Sequence, residues 1–447
     1  MATGADDIWL KTAIFLIVLF VLLGSGVWIG LALMGVAYVG MLAFTVRPAG
    51  DAMITTIWTS SSSWTLTALP LFIWMGEILF RTRLSEDMFK GLAPWMARLP
   101  GGLLHTNVVG CTIFAAVSGS SAATLMTVGR MAVPELRRRR YPEYMTIGTL
   151  AGSATLGLMI PPSLTLIVYG VTINESISKL FIAGIVPGLV LAAMFMGYIA
   201  IWHVLRPDQR PEPEPTVGFL EKLKNARFLI PVAGLVLSVI GSMYLGLATP
   251  TEAAAIGVIG ALALAAAQGS LNWSTFVQSL MGAVRTSAMV ALILMGAAFL
   301  SLSMGFTGLP RALAEWLASL ELSVYMLIAA LTVFYIVIGC FLDGISAVVL
   351  TMAVVEPMVN IPAFQEVGFS MIWFGIFVTV VIEMAQITPP IGFNLFVLQS
   401  MTDHHMGYIA KTALPMFLIM VLMVVVLVAW PELATWLPDT TRQVPGR

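Results

Sequence analysis

The sequence predicts an all-α, polytopic membrane protein built from two inverted repeats. Three observations predict it. The 447 residues are 59% hydrophobic and only 10% charged, where a soluble domain carries about 25% charged residues; mean hydropathy is +0.95. Apolar runs of roughly spanning length follow one another along the whole chain. Finally, the same pair of interruptions occurs twice: a small polar cluster and then a Pro-Pro pair, each inside apolar sequence.

The first cluster is Ala115-Ala-Val-Ser-Gly-Ser-Ser-Ala-Ala-Thr124. Ser118, Ser120, Ser121, Thr124 and Gly119 stand where a spanning helix normally carries Leu and Val. Gly157-Leu-Met-Ile-Pro-Pro-Ser163 follows. Prolines lack an N–H and collide with the preceding turn, so this helix must break. Leu342-Asp-Gly-Ile-Ser-Ala347 aligns with Val117-Ser-Gly-Ser-Ser-Ala122, and Ile387-Thr-Pro-Pro-Ile-Gly392 with Met159-Ile-Pro-Pro-Ser-Leu164. Pro187 pairs with Pro415 and Trp202 with Trp430 at the offset of the Pro-Pro pairs; Trp95 pairs with Trp316 at a slightly smaller one. Two diverged copies of one unit account for this. Paired, broken spans in two halves are the sequence mark of a secondary transporter's binding site.

Taken in order, Ile8–Leu23 and Val27–Val46 read as spans, and Arg47–Ser63 as a loop at the interface. No positively charged segment precedes Ile8, so the first helix is expected to be retained rather than cleaved as a signal peptide. Trp64–Phe80 is the third span. Arg81–Arg98 places Leu84, Met88, Leu92 and Trp95 at helical spacing and suits a helix lying in the membrane surface. Residues 103–136 are apolar on both sides of the polar tip. Each arm is too short for a hydrocarbon core of about 30 Å, so a re-entrant hairpin is expected. The first broken helix covers 144–170, and Leu180–Val204 spans again. Residues 1–204 then form the first repeat and 205–227, rich in Pro and Glu, a cytoplasmic linker. Residues 228–447 form the second repeat: spans near Phe228–Leu245, Glu252–Ala267 and Ser287–Met304, an interfacial segment Arg311–Leu320, a hairpin over 327–358, a broken helix over 371–399 and a last span Tyr408–Trp430.

Lys and Arg concentrate at three places: Arg81, Arg83, Lys90 and Arg98; Arg137–Arg140; and Arg206, Arg210, Lys222, Lys224 and Arg227. All fall on one side, which the positive-inside rule makes cytoplasmic. Five spans and one hairpin per repeat invert the second copy and leave both termini outside. Arg137–Arg140 reads as a topology signal or lipid contact.

A broken helix frees carbonyls: those of Gly157 and Leu158 before Pro161 and Pro162, and those of Ala385 and Gln386 before Pro389 and Pro390. Carbonyls and hydroxyls suit a cation such as Na⁺, and half-helix N-termini suit an anion. Ser118, Gly119, Ser120, Ser121, Gly157 and Ser163 are the candidates for one cation site. Asp343, Gly344, Ser346, Thr388 and Asn394 are those for its counterpart. Ser121, Pro162, Ser163, Ser346 and Pro390 are candidate substrate contacts. The bland reading is close helix packing by small residues; recurrence in both halves tells against it. Glu383, in the second broken helix, is the coupling candidate. Glu252 reads equally well as a helix-cap partner, Glu77 as an interfacial residue near Arg81, and Arg130 as a cytoplasmic anchor more than a substrate contact. The four histidines have no metal-ligand spacing, so no transition metal is expected. Cys111 and Cys340 sit in apolar sequence and read as buried thiols.

Phe114-Ala-Ala-Val-Ser-Gly-Ser-Ser-Ala-Ala-Thr124, Ile160-Pro-Pro-Ser163, Leu180-Phe-Ile-Ala-Gly-Ile-Val-Pro-Gly188, Ala248-Thr-Pro-Thr-Glu-Ala-Ala-Ala255, Ile387-Thr-Pro-Pro-Ile-Gly392 and Leu69-Pro-Leu-Phe72 with Gly76-Glu77 jointly resemble the large membrane subunit (permease) of tripartite ATP-independent periplasmic (TRAP) transporters. The likeness spans nearly the whole chain. It implies an elevator-type carrier of the ion-transporter superfamily in the bacterial inner membrane. Such a carrier uses a Na⁺ gradient to import an organic acid such as a C4-dicarboxylate or sialic acid. It implies two partners: a periplasmic substrate-binding protein and a small four-helix membrane subunit, here a separate chain. The family's ion sites lie at hairpin tips and broken helices, which here are the residues named above.

The main competing reading is a stand-alone ion-coupled carboxylate carrier without a binding protein. A hydrolase using Ser118 or Ser121 lacks an intramembrane His or Lys base near either tip, so no enzyme and no organic cofactor is expected. A formal net charge of −1 gives no field for nucleic acid.

Overall fold

The structure is a computed structural model; it describes residues 3–82, 84–207, 218–309, 312, 315 and 322–440. Residues 208–217 of the linker and most of the predicted interfacial segment Arg311–Leu320, with Trp316, lie outside the described residues. Every regular element described is helical. Among the described residues, five helical stretches are long and apolar enough to cross a membrane, Glu143–Ile173, Ile177–Leu205, Pro250–Ala267, Trp273–Thr307 and Met406–Ala429, and the bent pair Phe219–Ala226 with Ile230–Tyr244 makes a sixth if it is one span. Shorter apolar helices include Ala68–Phe80, Leu104–Ser118, Val324–Gly339 and Met371–Gln386.

Both interruptions fold as breaks. Leu104–Ser118 ends at Gly119, and Ser120 caps Ser121–Arg138. The helix Glu143–Ala154 continues through Leu156–Met159, stops at the cis Pro161–Pro162 bond, and restarts at Ser163 as Leu164–Ile173. In the second half Val324–Gly339 turns into Gly344–Val359, capped by Asp343. Met371–Gln386 stops at the cis Pro389–Pro390 bond and resumes as Phe393–Gln399. The arms of the first pair pack together. Those of the second meet at a Tyr335–Thr351 hydroxyl hydrogen bond of 2.8 Å, while Val324–Gly339 packs chiefly on Met371–Gln386 and Gly344–Val359 on Leu164–Ile173.

The two broken helices form the buried centre. Every residue from Trp373 to Gln386 is buried, as is every residue from Met145 to Gly170. A helix apolar all round belongs in a core. Phe369, Trp373 and Phe377 stack face to face, and the Trp373 indole N–H donates to the Leu427 carbonyl at 3.0 Å. Glycines set how close the surrounding helices come. A Cβ at Gly148 would lie 2.4 Å from the Thr412 carbonyl oxygen, and one at Gly152 would strike Met416; these two residues seat Met406–Ala429 on the first broken helix. At the other crossing, of Ile29–Phe44 with Trp273–Thr307, a Cβ on Gly296 would meet the Gly30 carbonyl oxygen at 2.4 Å.

Several boundaries differ from expectation. Ala49–Ser61 is helical, not a loop. Its hydroxyls explain the misreading: Thr55, Thr56, Thr59 and Ser61 each donate to the carbonyl four residues back, at 2.6 to 2.9 Å, so a Ser/Thr-rich stretch satisfies itself in helical form. The span expected from Ser287 starts at Trp273, where Asn272 caps the helix. Glu432–Asp439, an unforeseen short helix, follows the last span and packs on Ile177–Leu205. Glu252 is a cap partner: it accepts from the Thr249 N–H at 2.8 Å while Thr249 Oγ1 accepts from the Glu252 N–H at 3.3 Å. Glu77 is paired with Arg81. Cys111 and Cys340 are buried free thiols.

Substituting Leu for Gly296 should force the two crossing helices apart. Overpacking typically costs about 1–3 kcal/mol, and backbone rather than side chain is in the way here. A melting temperature lowered by several degrees in purified protein is the expected result.

Candidate functional site

The first tip is built by backbone geometry. Gly119 has φ +60°, left-handed, and a Cβ there would sit 2.6 Å from the Pro162 carbonyl oxygen. Glycine is the residue that avoids both the strain and the clash. The Leu164 N–H donates to the Gly119 carbonyl at 3.3 Å, so the tip is fastened to the break. Ser118 Oγ and Thr124 Oγ1 share a hydrogen bond of 2.8 Å across the tip. Ser120 Oγ accepts from the Ala123 N–H as the N-cap. Gly157 permits a second close approach: its Cβ would meet the Ser120 carbonyl oxygen and the Ser121 backbone, all at 2.7 Å. Ser163 caps the restarted helix, accepting from the Leu166 N–H at 3.3 Å.

The second tip lies against both breaks. A Cβ on Gly344 would meet Leu158 and Thr165 of the first broken helix and Ile382 of the second. At the second break, the Gly392 N–H donates to the Cys340 carbonyl at 3.3 Å, and Cys340 Sγ to the Pro389 carbonyl at 3.4 Å. Asp343 is an N-cap: its Oδ2 accepts from the Ile345 and Ser346 N–H groups at 3.2 and 3.3 Å, and its Oδ1 from the Ser346 hydroxyl. Thr388 donates its hydroxyl to the Met384 carbonyl at 2.7 Å. The Ala385 carbonyl, expected free before the prolines, is taken by the Thr388 N–H at 3.0 Å; a tightened last turn satisfies it.

All four interruptions therefore meet. The candidates around the first break cluster tightly; Ser118, Gly119, Ser121, Gly157, Pro162 and Ser163 are buried and Ser120 is half-buried. The second break is more open: Pro389 and Pro390 are exposed, Thr388 is half-buried and Asn394 is fully buried. Buried oxygens without a hydrogen-bond partner gather in these segments: Glu383 Oε1 and Oε2, Asn394 Oδ1 and Thr165 Oγ1. Ser121 and the Leu158 backbone come close enough to Glu383 to interact, though not in good hydrogen-bond geometry. Thr165 escaped the sequence reading. Its signal is its position, in the first turn after a Pro-Pro break and two residues past Ser163. Arg130 is exposed and makes no ion pair among the described residues.

At the mouth of the first hairpin, Arg137 pairs with Glu143 at 2.6 Å and with Asp403 at 3.7 Å, and His404 lies 3.1 Å from Glu143. These contacts join the hairpin, the first broken helix and the segment after the second. Among the described residues, no group of His, Cys, Asp and Glu is arranged to hold a metal by three or more such ligands. The donors at the tips are carbonyls, hydroxyls and carboxylates. Such oxygens suit a hard cation rather than a transition metal.

Interrupted helices that meet deep inside an apolar, all-helical chain are the build of a multi-pass membrane transporter. Residues 16–433 match the family described as tripartite ATP-independent periplasmic transporter, DctM component, and the chain belongs to that family. It is 30% identical over 384 residues to a C4-dicarboxylate TRAP transporter large permease protein, DctM, of Pseudomonas aeruginosa, covering 86% of this chain and 88% of that one. It is 30% identical over 409 residues to an isethionate TRAP transporter permease protein, DctMQ, of Oleidesulfovibrio alaskensis, covering 90% of this chain and 62% of that longer one. The fold resembles that of the Alcanivorax borkumensis YdaH transporter, with a TM-score of 0.62 at 15% identity over 88% of this chain and 91% of that chain. Large permeases of this family work with a small membrane subunit and a periplasmic binding protein.

The substitution Gly157→Ala tests whether tip and break must touch. It should push the Ser121 backbone away and lower substrate uptake at least tenfold, with the purified protein still monodisperse on size exclusion.

Proposed function

We propose that this chain is the large permease of a Na⁺-coupled carrier importing a small organic acid, a C4-dicarboxylate or a related carboxylate such as sialic acid, delivered by a periplasmic binding protein. The observation that carries the proposal is the meeting of both tips and both breaks around buried, unpartnered oxygens. Ser118, Gly119, Ser120, Ser121, Gly157 and Ser163 supply hydroxyls and backbone for one cation. Asp343, Gly344, Ser346, Thr388 and Asn394 serve the other, with Asn394 Oδ1 the clearest uncommitted ligand. Asp343 is largely committed to its cap, so its part there is to hold the tip closed and negative. The substrate carboxylate is placed between Ser121, Pro162, Ser163, Ser346 and Pro390, where capped half-helices begin. Glu383 is the coupling residue.

Two inverted repeats, 1–204 and 228–447, supply one hairpin and one broken helix each, and these four elements move together as an elevator against the remaining spans. The repeated order of elements and the shared core of the broken helices support this division. The cationic face, with Arg137–Arg140, is cytoplasmic, in the bacterial inner membrane, and the termini are periplasmic. A small four-helix membrane subunit completes the membrane part.

The test is uptake of radiolabelled organic acids by proteoliposomes holding this chain and its small partner, with and without an inward Na⁺ gradient and the binding protein. Uptake that needs both is the expected result, and Ser118→Ala or Asp343→Asn should lower it at least tenfold. Na⁺-driven uptake without the binding protein would replace the tripartite reading with a stand-alone carrier.

A further inference from the structure

Glu383 is the single buried acid among the described residues, and it is fully buried. Neither carboxylate oxygen has a hydrogen-bond partner of good geometry. Among the described residues, no Lys, Arg or His pairs with it. The polar groups that reach it are the Ser121 side chain and the Leu158 backbone. One belongs to the first hairpin tip and the other to the first broken helix, whereas Glu383 stands on the second. Its neighbour Ile382 faces the Gly344 turn. The second half thus inserts an acid into the tip of the first.

A carboxylate sealed in an apolar interior without a cation is unfavourable, and two loosely placed neutral groups do not offset that. Asp343 does not share the problem. It is half-buried and holds two N–H groups and a hydroxyl. The first tip has hydroxyls and carbonyls but no acid of its own. What it lacks, Glu383 provides.

We propose that Glu383 is the counter-charge of the first cation site: a Na⁺ at the first hairpin tip is shared between its carboxylate and Ser121 Oγ. The ion then ties the second broken helix to the first hairpin, so its binding closes the two halves on each other. This inference rests on the Na⁺-coupled reading above and deepens it by naming the anionic ligand. All the groups involved are oxygens, the ligands a hard monovalent ion takes.

The experiment is the melting temperature of the purified full chain, titrated with NaCl against choline chloride at constant ionic strength. Wild type should gain a saturable, Na⁺-specific stabilisation. In Glu383→Gln the half-saturating Na⁺ concentration should rise at least tenfold. Without Na⁺ the variant should melt at the wild-type temperature or above, because a buried amide needs no counter-ion. Ser121→Ala should also raise the half-saturating concentration, and it carries the test if Glu383→Gln does not fold. A wild-type Na⁺ response retained in these variants overturns the Glu383 assignment alone. Absence of any Na⁺ response in wild type overturns the coupling reading and this one together.

Discussion

A helix interrupted inside an apolar protein exposes backbone groups that no solvent can satisfy, and everything around it must answer that need. Here each Pro-Pro break ends a fully buried helical run, 145–159 in the first half and 373–386 in the second. Each is met by the turn of a helical hairpin, and the contacts are backbone to backbone. The Gly119 carbonyl takes the Leu164 N–H, and the Cys340 carbonyl takes the Gly392 N–H. These bonds require close approach, which explains Gly119 and Gly157 at one tip and Gly339 and Gly344 at the other. At all four, a Cβ would lie 2.6 to 2.8 Å from a neighbouring atom.

The same need orders the outer helices. Gly148 and Gly152 let the last long helix seat on the first broken one, and Gly30 with Gly296 let two outer helices cross. Lipid is as apolar as Leu, so burial alone drives little association between such helices, and close van der Waals contact takes its place. The centre is correspondingly dense, with Trp373 stacked between Phe369 and Phe377 and its indole N–H bonded to the Leu427 carbonyl.

This division explains what the sequence revealed. Breaks and turns were legible because they need residue types that apolar helices avoid: Pro-Pro, Gly and clustered Ser. Helix Ala49–Ser61 was not legible, because its Thr and Ser hydroxyls bond their own backbone and mimic a loop in composition. Arg285 and polar neighbours likewise hid the first turns of Trp273–Thr307. Within the site, the candidate hydroxyls could be named from the motif, but their commitments could not. Whether Asp343 Oδ2 faces an ion or caps a helix depends on where two N–H groups point. Thr165 was missed because its one signal, a place two residues past Ser163, says nothing of the Gly344 turn that lies beside it.

The two breaks are similar in backbone and unlike in chemistry. On the proposed repeat alignment Asp343 stands opposite Ser118, and at the offset of the Pro-Pro pairs Glu383 stands opposite Thr155 and Asn394 opposite Leu166. Both acids therefore come from the second half. Exposure differs as well: Pro161 and Pro162 are buried, Pro389 and Pro390 exposed. The two tips therefore differ in charge as well as in exposure. Glu383 reaches across to Ser121 and Leu158, so an acid from the second half stands beside the tip of the first. On the proposed function, the two cation sites would then differ in charge although their backbones are alike.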